Sequence, residues 1–102
     1  MIVAVAIYEL HIEFAQSLKD KRGVVKSLRD KLRHRFEISA AEVGLQDVHQ
    51  RARLGVSFVA LEHAHADAKL ERIEEFITSN TDATLVGSTS EKLEFDETVG
   101  LD

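Results

Sequence analysis

The residues best suited to chemistry are the cations of one twenty-residue stretch. Between Ser17 and Phe36 the chain carries eight of its thirteen basic residues and only two acidic ones. The net charge of this stretch is +6, whereas the remainder, with five basic and sixteen acidic residues, carries −11. Because the whole chain has a formal net charge of −5, any attraction to nucleic acid must be local to this stretch.

The spacing of these cations places five of them on one line of a helix. Residues at i, i+3, i+7, i+10 and i+14 occupy a band roughly 80° wide at about 100° per residue. We call this set the basic stripe: Lys19, Arg22, Lys26, Arg29 and Arg33. Like charges at helical spacing repel each other, and bound phosphates would relieve that repulsion. The alternative is a solvated helix face that carboxylates on other elements partly offset.

Other signals agree that this stretch is a helix. Ser17 followed by Asp20 fits the capping pattern, in which a side-chain oxygen accepts a hydrogen bond from an otherwise unpaired N–H of the first turn. The apolar residues cluster on one side of the helix: Leu18, Val24, Val25, Leu28, Leu32 and Phe36. We therefore predict a helix over residues 17–36 that packs its apolar side on a core.

A second group of polar residues falls in a predicted loop after the second strand. These loop candidates are Gln46, Asp47, His49, Gln50 and Arg51. Loops often carry binding residues, so a contact site is one interpretation. The other is hairpin architecture, with Asp47 bonding backbone amides and Arg51 paired with a nearby acid.

We predict no catalytic, cofactor or metal site. His63 and His65 lie two residues apart, which on a helix points them about 200° away from each other, so they do not chelate one ion. The sequence contains no phosphate-binding glycine loop, nucleophile elbow or paired-carboxylate motif.

Composition indicates one small cytoplasmic domain. A chain of 102 residues with 44% hydrophobic residues forms a single core, which we place in residues 1–90. Residues 91–102 are predicted to be an acidic strand end or tail. The chain has no cysteine, as is common in a reducing cytoplasm. The apolar run over residues 2–8 is too short to span a bilayer and is interpreted as a strand, not a signal peptide.

The order of the predicted elements indicates an α+β fold. Strands are predicted over residues 2–12, 38–43, 51–62 and from residue 83, with a second helix over 64–78. Strand, helix, strand, strand, helix, strand is the ferredoxin-like split β-α-β arrangement (βαββαβ), with two helices on one face of a four-stranded sheet.

We expect the first and third strands to be parallel neighbours in the centre of the sheet. The side facing the helices is predicted to carry Val3, Val5 and Ile7 with Leu54, Val56 and Phe58. The open face is then predicted to carry Ala4, Ala6 and Tyr8 with Arg53, Gly55 and Ser57. Tyr8 would be the one side chain on that face able to stack on a base.

Several segments resemble a known family. They are LHI at residues 10–12, SLKDKRGVVKSLRDKLRHRF at 17–36, AEV at 41–43, QD at 46–47 and QRA at 50–52. Together they are similar to the YlxP-like family, small bacterial proteins of unknown function, over roughly residues 1–78. The resemblance implies a ferredoxin-like fold and genes next to transcription and translation factors, which suggests association with RNA or the ribosome. It implies no catalytic residues.

Our hypothesis is a non-enzymatic, cytoplasmic protein that binds the phosphate backbone of RNA, or a ribosomal particle, through the basic stripe. An alternative is a protein-interaction module, such as a homodimer, that uses the open sheet face around Ala4, Ala6 and Ser57. A third is a small enzyme acting on an anionic substrate with His49, Arg51 and the stripe.

Overall fold

A computed structural model describes residues 1–101 and contains six regular elements. They are β1 (Ile2–His11), α1 (Leu18–Arg35), β2 (Ser39–Gly44), β3 (Arg51–Ala60), α2 (His63–Ser79) and β4 (Thr84–Glu94). The strands form one sheet in the order β2-β3-β1-β4, with antiparallel neighbours throughout. Both helices contribute buried residues to one core against one face of this sheet. The predicted α+β, ferredoxin-like arrangement is confirmed.

The predicted direction of the two central strands is wrong. β1 and β3 are antiparallel, with Ile2 opposite Ala60 and His11 opposite Arg51. The crossover through α1 makes β1 and β2 parallel but leaves room for one strand between them. β3 fills that gap directly after β2, so it runs opposite to both of its neighbours.

The two faces of β1 are also the reverse of the prediction. The core side carries the even-numbered residues Ile2, Ala4, Ala6, Tyr8 and Leu10, all of which are buried. Val3, Val5, Ile7 and Glu9 lie on the open face. On β3 the prediction is confirmed, because Leu54, Val56 and Phe58 are buried.

Chemistry explains the choice of face on β1. The odd-numbered side continues through Glu9 and His11, which are costly to bury, whereas the even-numbered side is apolar from Ile2 to Ile12. The small side chains of Ala4 and Ala6 also fit beneath the packed helices, where both are fully buried. The helices fill that space with larger residues, among them Leu28, Leu32, Ile73 and Ile77.

The two helices begin differently. At α1 the Ser17 hydroxyl accepts from the Asp20 N–H at 3.1 Å, and the Asp20 carboxylate accepts from the Gln16 N–H at 3.1 Å. The predicted cap is therefore confirmed. α2 begins after Glu62, whose side chain makes no capping hydrogen bond.

Met1 lies beside the end of β4 at one corner of the sheet. The Met1 ammonium group donates to the Phe95 carbonyl oxygen at 3.0 Å, just after β4 ends at Glu94. Residues 91–94 of the predicted acidic end thus belong to β4, and residue 102 lies outside the described residues. Over the described part of the chain, neither helix has the length and apolar character needed to cross a membrane.

Candidate nucleic-acid interface

The basic stripe lies on the side of α1 that faces away from α2. Val25, Leu28 and Leu32 point into the core, and Lys31 reaches towards α2 to donate to the Asn80 carbonyl oxygen at 3.5 Å. On the opposite side of α1, the Arg33 guanidinium group donates to the Ala40 carbonyl oxygen of β2. The stripe therefore runs along the outer edge of the molecule beside β2.

Two members of the stripe are engaged within the protein. Arg29 donates through Nε and Nη2 to the Asp30 carboxylate at 3.1 and 3.0 Å, and its side chain is 30% exposed. Arg33 is held by the carbonyl group of Ala40. Asp30 offsets the charge of Arg29, whereas the carbonyl group leaves Arg33 cationic but restrains its position.

The other three members are exposed and uncompensated. Among residues 1–101, Lys19, Arg22 and Lys26 form no ion pair and no side-chain hydrogen bond. Their Cα atoms span about 10 Å along the first turns of α1, given a rise of 1.5 Å per residue. This part of the stripe is a compact cationic surface on a rigid helix.

Lys21 plays a different role from its neighbours. Its side chain is fully buried, its Nζ lies 2.9 Å from Oε2 of Glu42, and it donates to the carbonyl oxygens of Leu45 and Gln46 at 2.8 and 3.1 Å. The sequence contains a signal for this, because residue 21 shares the helix face of Val25, Leu28 and Leu32. A lysine on an apolar face requires buried partners. The prediction of the basic stripe assigned no such role to Lys21.

The predicted loop is held in place by its backbone. Leu45 adopts a left-handed conformation with φ of 58°, and its carbonyl oxygen also accepts from the Val48 N–H at 3.0 Å. Because Lys21 donates hydrogen bonds to two carbonyl groups of this loop, the loop packs against the first turns of α1. The loop is thus fixed beside the N-terminal end of the basic stripe, where Lys19 lies.

The loop candidates themselves do not converge on one point. Gln50 donates through Nε2 to the carbonyl oxygens of Glu13 and Ala15 at 3.1 and 3.3 Å, which ties the loop to the β1–α1 connection. Arg51 pairs with the Glu9 carboxylate at 2.7 Å, as the architectural interpretation expected. The side chains of Gln46, Asp47 and His49 point outward and are exposed. Over the described chain Asp47 bonds no backbone amide, so that detail is wrong.

The open face offers no stacking platform at Tyr8. This residue is 3% exposed and lies on the core side of β1. Burial there raises the pKa of Tyr8 to about 12, and the nearby Glu74 carboxylate adds to the rise. The prediction that Tyr8 lies on the open face, where it could stack on a base, is therefore wrong.

The open face carries an ion cluster at one end instead. The Glu9 carboxylate accepts from Arg51 at 2.7 Å and from Nε of Arg53 at 2.9 Å. Hydrogen bonds from these two guanidinium groups hold the pKa of Glu9 below its ordinary value of 4.5. Elsewhere the face carries exposed apolar side chains, among them Val5, Ile7 and Val59. The prediction that Ala4 and Ala6 lie on the open face is wrong, since both are buried on the core side, so neither can belong to an interaction surface there.

Comparison with solved structures places this protein among the α+β proteins with a ferredoxin-like fold. The solution NMR structure of a de novo designed protein with a ferredoxin fold matches the whole chain with a TM-score of 0.50. The match covers 94% of the designed chain at 20% sequence identity, so it bears on the fold alone.

Residues 3–90 match the family described as Protein of unknown function (DUF503). An uncharacterized protein of Bacillus subtilis (strain 168), YlxP, is 33% identical over 78 residues, which are 76% of this chain and 85% of that protein. The chain belongs to the DUF503 family, and the resemblance inferred from its sequence is confirmed.

Proposed function

We propose that this protein binds the phosphate backbone of structured RNA through the basic stripe, with Lys19, Arg22 and Lys26 as the main contacts. The observation that supports this most directly is that these three cations are exposed and unpaired, although acidic residues outnumber basic ones by eighteen to thirteen in the chain. In a chain with so many carboxylates, three uncompensated cations on neighbouring turns of one helix form a local cationic surface.

The three cations supply complementary chemistry. The planar guanidinium group of Arg22 matches two phosphate oxygens at once, whereas the ammonium groups of Lys19 and Lys26 act as mobile point charges. Such contacts give affinity and orientation without reading bases. Because α1 is fixed to β2 and the loop through Lys21, it presents these groups on a rigid element.

The remaining stripe residues contribute less. Arg29 would have to give up Asp30, and Arg33 would have to leave or share the carbonyl oxygen of Ala40. RNA is favoured over DNA by the genetic neighbourhood that the resemblance to YlxP-like proteins implies. Ribosomal RNA is accordingly the first target to test.

The decisive experiment is a salt series of binding to purified ribosomal subunits and to an RNA hairpin. If three phosphates are neutralised, the slope of log K against log salt concentration is about −2 to −3. The variant Lys19→Glu, Arg22→Glu, Lys26→Glu should lose binding and keep the far-ultraviolet circular dichroism of the parent. Parent-like binding by this variant would exclude the stripe as the site.

A matched control carries the same change in net charge elsewhere. Lys31, Arg35 and Arg72 are exposed outside the stripe, so replacing all three by Glu alters the overall charge equally. This control is expected to bind RNA within a few-fold of the parent. If it loses binding as completely as the stripe variant, the attraction reflects total charge and not a site.

A further inference from the structure

The open face of the sheet carries a continuous apolar surface. We call it the open-face patch, and it consists of Val3, Val5, Ile7, Val43, Val59 and Leu93. Five of these side chains are between 39% and 61% exposed. They lie on all four strands. Val3, Val5 and Ile7 follow one another on β1, and Val3 lies between Val59 and Leu93. Val43 lies across Gly55 from Ile7, whereas Glu91 and Thr89 of β4 border Val5 and Ile7. Contiguous exposed apolar surface of this kind marks an interaction site in soluble proteins.

The patch has a raised side and a hollow side. β1 contributes the bulky side chains of Val5 and Ile7, whereas the residues opposite them on β3 are Ser57 and Gly55. A depression of about 410 Å³ lies over β3, with Val5 and Ile7 on one side and Val43 on the other. A Cβ atom on Gly55 would lie 2.8 Å from Cγ1 of Val43, so glycine is required for Val43 to lean inward.

The shape of the open-face patch is complementary to that of a rotated second copy. Consider a two-fold axis that runs parallel to the strands between β1 and β3. Rotation by 180° about this axis places the raised side of one copy over the hollow side of the other, so that Val5 faces Ser57 of the partner subunit. The same interdigitation occurs twice, as the symmetry of an isologous interface requires.

The same rotation brings opposite charges together at the end of the face. Glu9 of β1 is paired in register with Arg53 of β3, on opposite sides of the axis. The rotation therefore places Glu9 against the partner's Arg53 and not against the partner's Glu9. A carboxylate that already accepts from two guanidinium groups gains a third cationic neighbour.

We propose that the open-face patch is the interface of a homodimer with four layers, helices outside and two sheets inside. Four strands about 4.8 Å apart and about six residues of each strand give a flat area of roughly 400 Å² per copy. Two such faces with their side chains bury on the order of 1,000 Å², which is the threshold for a biological interface and is typical of weak, reversible association. The partner is a second copy, because shape and charge both match under one two-fold axis.

The proposal is independent of RNA binding. The basic stripe lies on α1, in the layer that faces away from the interface, so the dimer would display two stripes. Arg33 is the one stripe residue that also lines the depression. The proposed main RNA contacts, Lys19, Arg22 and Lys26, do not line it, so loss of dimerisation and loss of RNA binding are separate results.

Sedimentation velocity over a range of protein concentrations tests the proposal. The parent is expected to show a concentration-dependent monomer–dimer equilibrium. Added salt should not dissociate the dimer, because burial of apolar surface drives the association. Ser57→Arg, which fills the depression, and Val5→Lys, which charges the raised side, should each raise the dissociation constant at least tenfold. Val48→Lys is the control, since Val48 in the loop is 40% exposed and Val5 is 42% exposed.

Two results would overturn the proposal. One is a parent that remains monomeric at concentrations well above the micromolar range. The other is a dimer that survives both substitutions in the patch, which would place the interface elsewhere. Ser57→Arg keeps the test valid if Val5→Lys fails to fold, because residue 57 lies on the solvent side of β3 and its new side chain can extend outward.

Discussion

The Nζ atom of Lys21 lies 2.9 Å from Oε2 of Glu42, inside a protein whose other basic side chains are at least partly exposed over residues 1–101. That carboxylate oxygen is buried and receives no well-directed hydrogen bond, so its attraction to the ammonium group is mainly coulombic. The pair joins α1 to β2, and two further bonds from Lys21 join α1 to the loop. The helix that carries the basic stripe is thereby fixed to the sheet edge.

Replacing Lys21 by Met should lower the free energy of unfolding by about 3 kcal/mol, since it leaves a buried carboxylate and two carbonyl groups without their partner. Urea denaturation measures this. Lys26→Met is the matched control, and its exposed position predicts a change within about 0.5 kcal/mol. Equal effects of the two substitutions would show that the buried pair stabilises nothing.

Replacing Glu62 by Ser should raise the free energy of unfolding by about 1 kcal/mol, because a serine hydroxyl can accept from an unpaired N–H at the start of α2. Glu71→Ser, in the exposed interior of the same helix, should instead lower stability slightly, since serine is a weaker helix former. Thermal melting of both variants compares them. Changes of the same sign would contradict the assignment of Glu62 as the cap.

Tyr8 should ionise only in strong alkali. Its pKa is about 12 in the folded protein and about 10 when unfolded, so folding binds the phenol proton more tightly. The associated stability is complete below pH 10 and is lost as the pH rises towards 12. The chain has one tyrosine, so phenolate absorbance reports on Tyr8 alone. In Tyr8→Phe, stability should fall less over this range, and an absorbance midpoint near pH 10 would refute the prediction.

Glu9 should contribute to stability at neutral pH and lose that contribution in acid. Its pKa is lowered in the folded state by hydrogen bonds from Arg51 and Arg53, so its stabilising effect is present above about pH 4.5. It disappears as the pH falls through the lowered pKa. Urea midpoints of the parent and Glu9→Gln should therefore differ at pH 7 and converge in acid. Both should be measured in the Ser57→Arg background, so that self-association does not contribute.

Much of the fold follows from local patterns. Periodicity and capping predict α1, where Ser17 and Asp20 mark the start and Leu28 and Leu32 the buried side. The faces of β1 could not be assigned from apolar character alone, because Val5 and Ile7 are as hydrophobic as the residues that are buried. The deciding feature is the position of Glu9 on the same side, two residues beyond Ile7.

The candidate site is predictable in outline but not in its pairing. Helical spacing places the five cations of the stripe on one side of α1, and the structure shows that same side exposed. Which cations are engaged depends on contacts that helical spacing does not specify. Arg33 reaches a carbonyl group of β2, and Arg29 turns to its neighbour Asp30. The role of Lys21 depends on its position on the buried helix face, which the sequence shows, and on its pairing with Glu42, which the sequence does not show.

The contact between Met1 and Phe95 determines where a label or a tag would project. Met1 lies at the corner of the sheet where β4 ends, whereas the loop held by Lys21 lies past the far end of β1, about 30 Å away at 3.3 Å per residue. A fluorophore on the amino group of Met1 should therefore leave Lys19, Arg22 and Lys26 unobstructed.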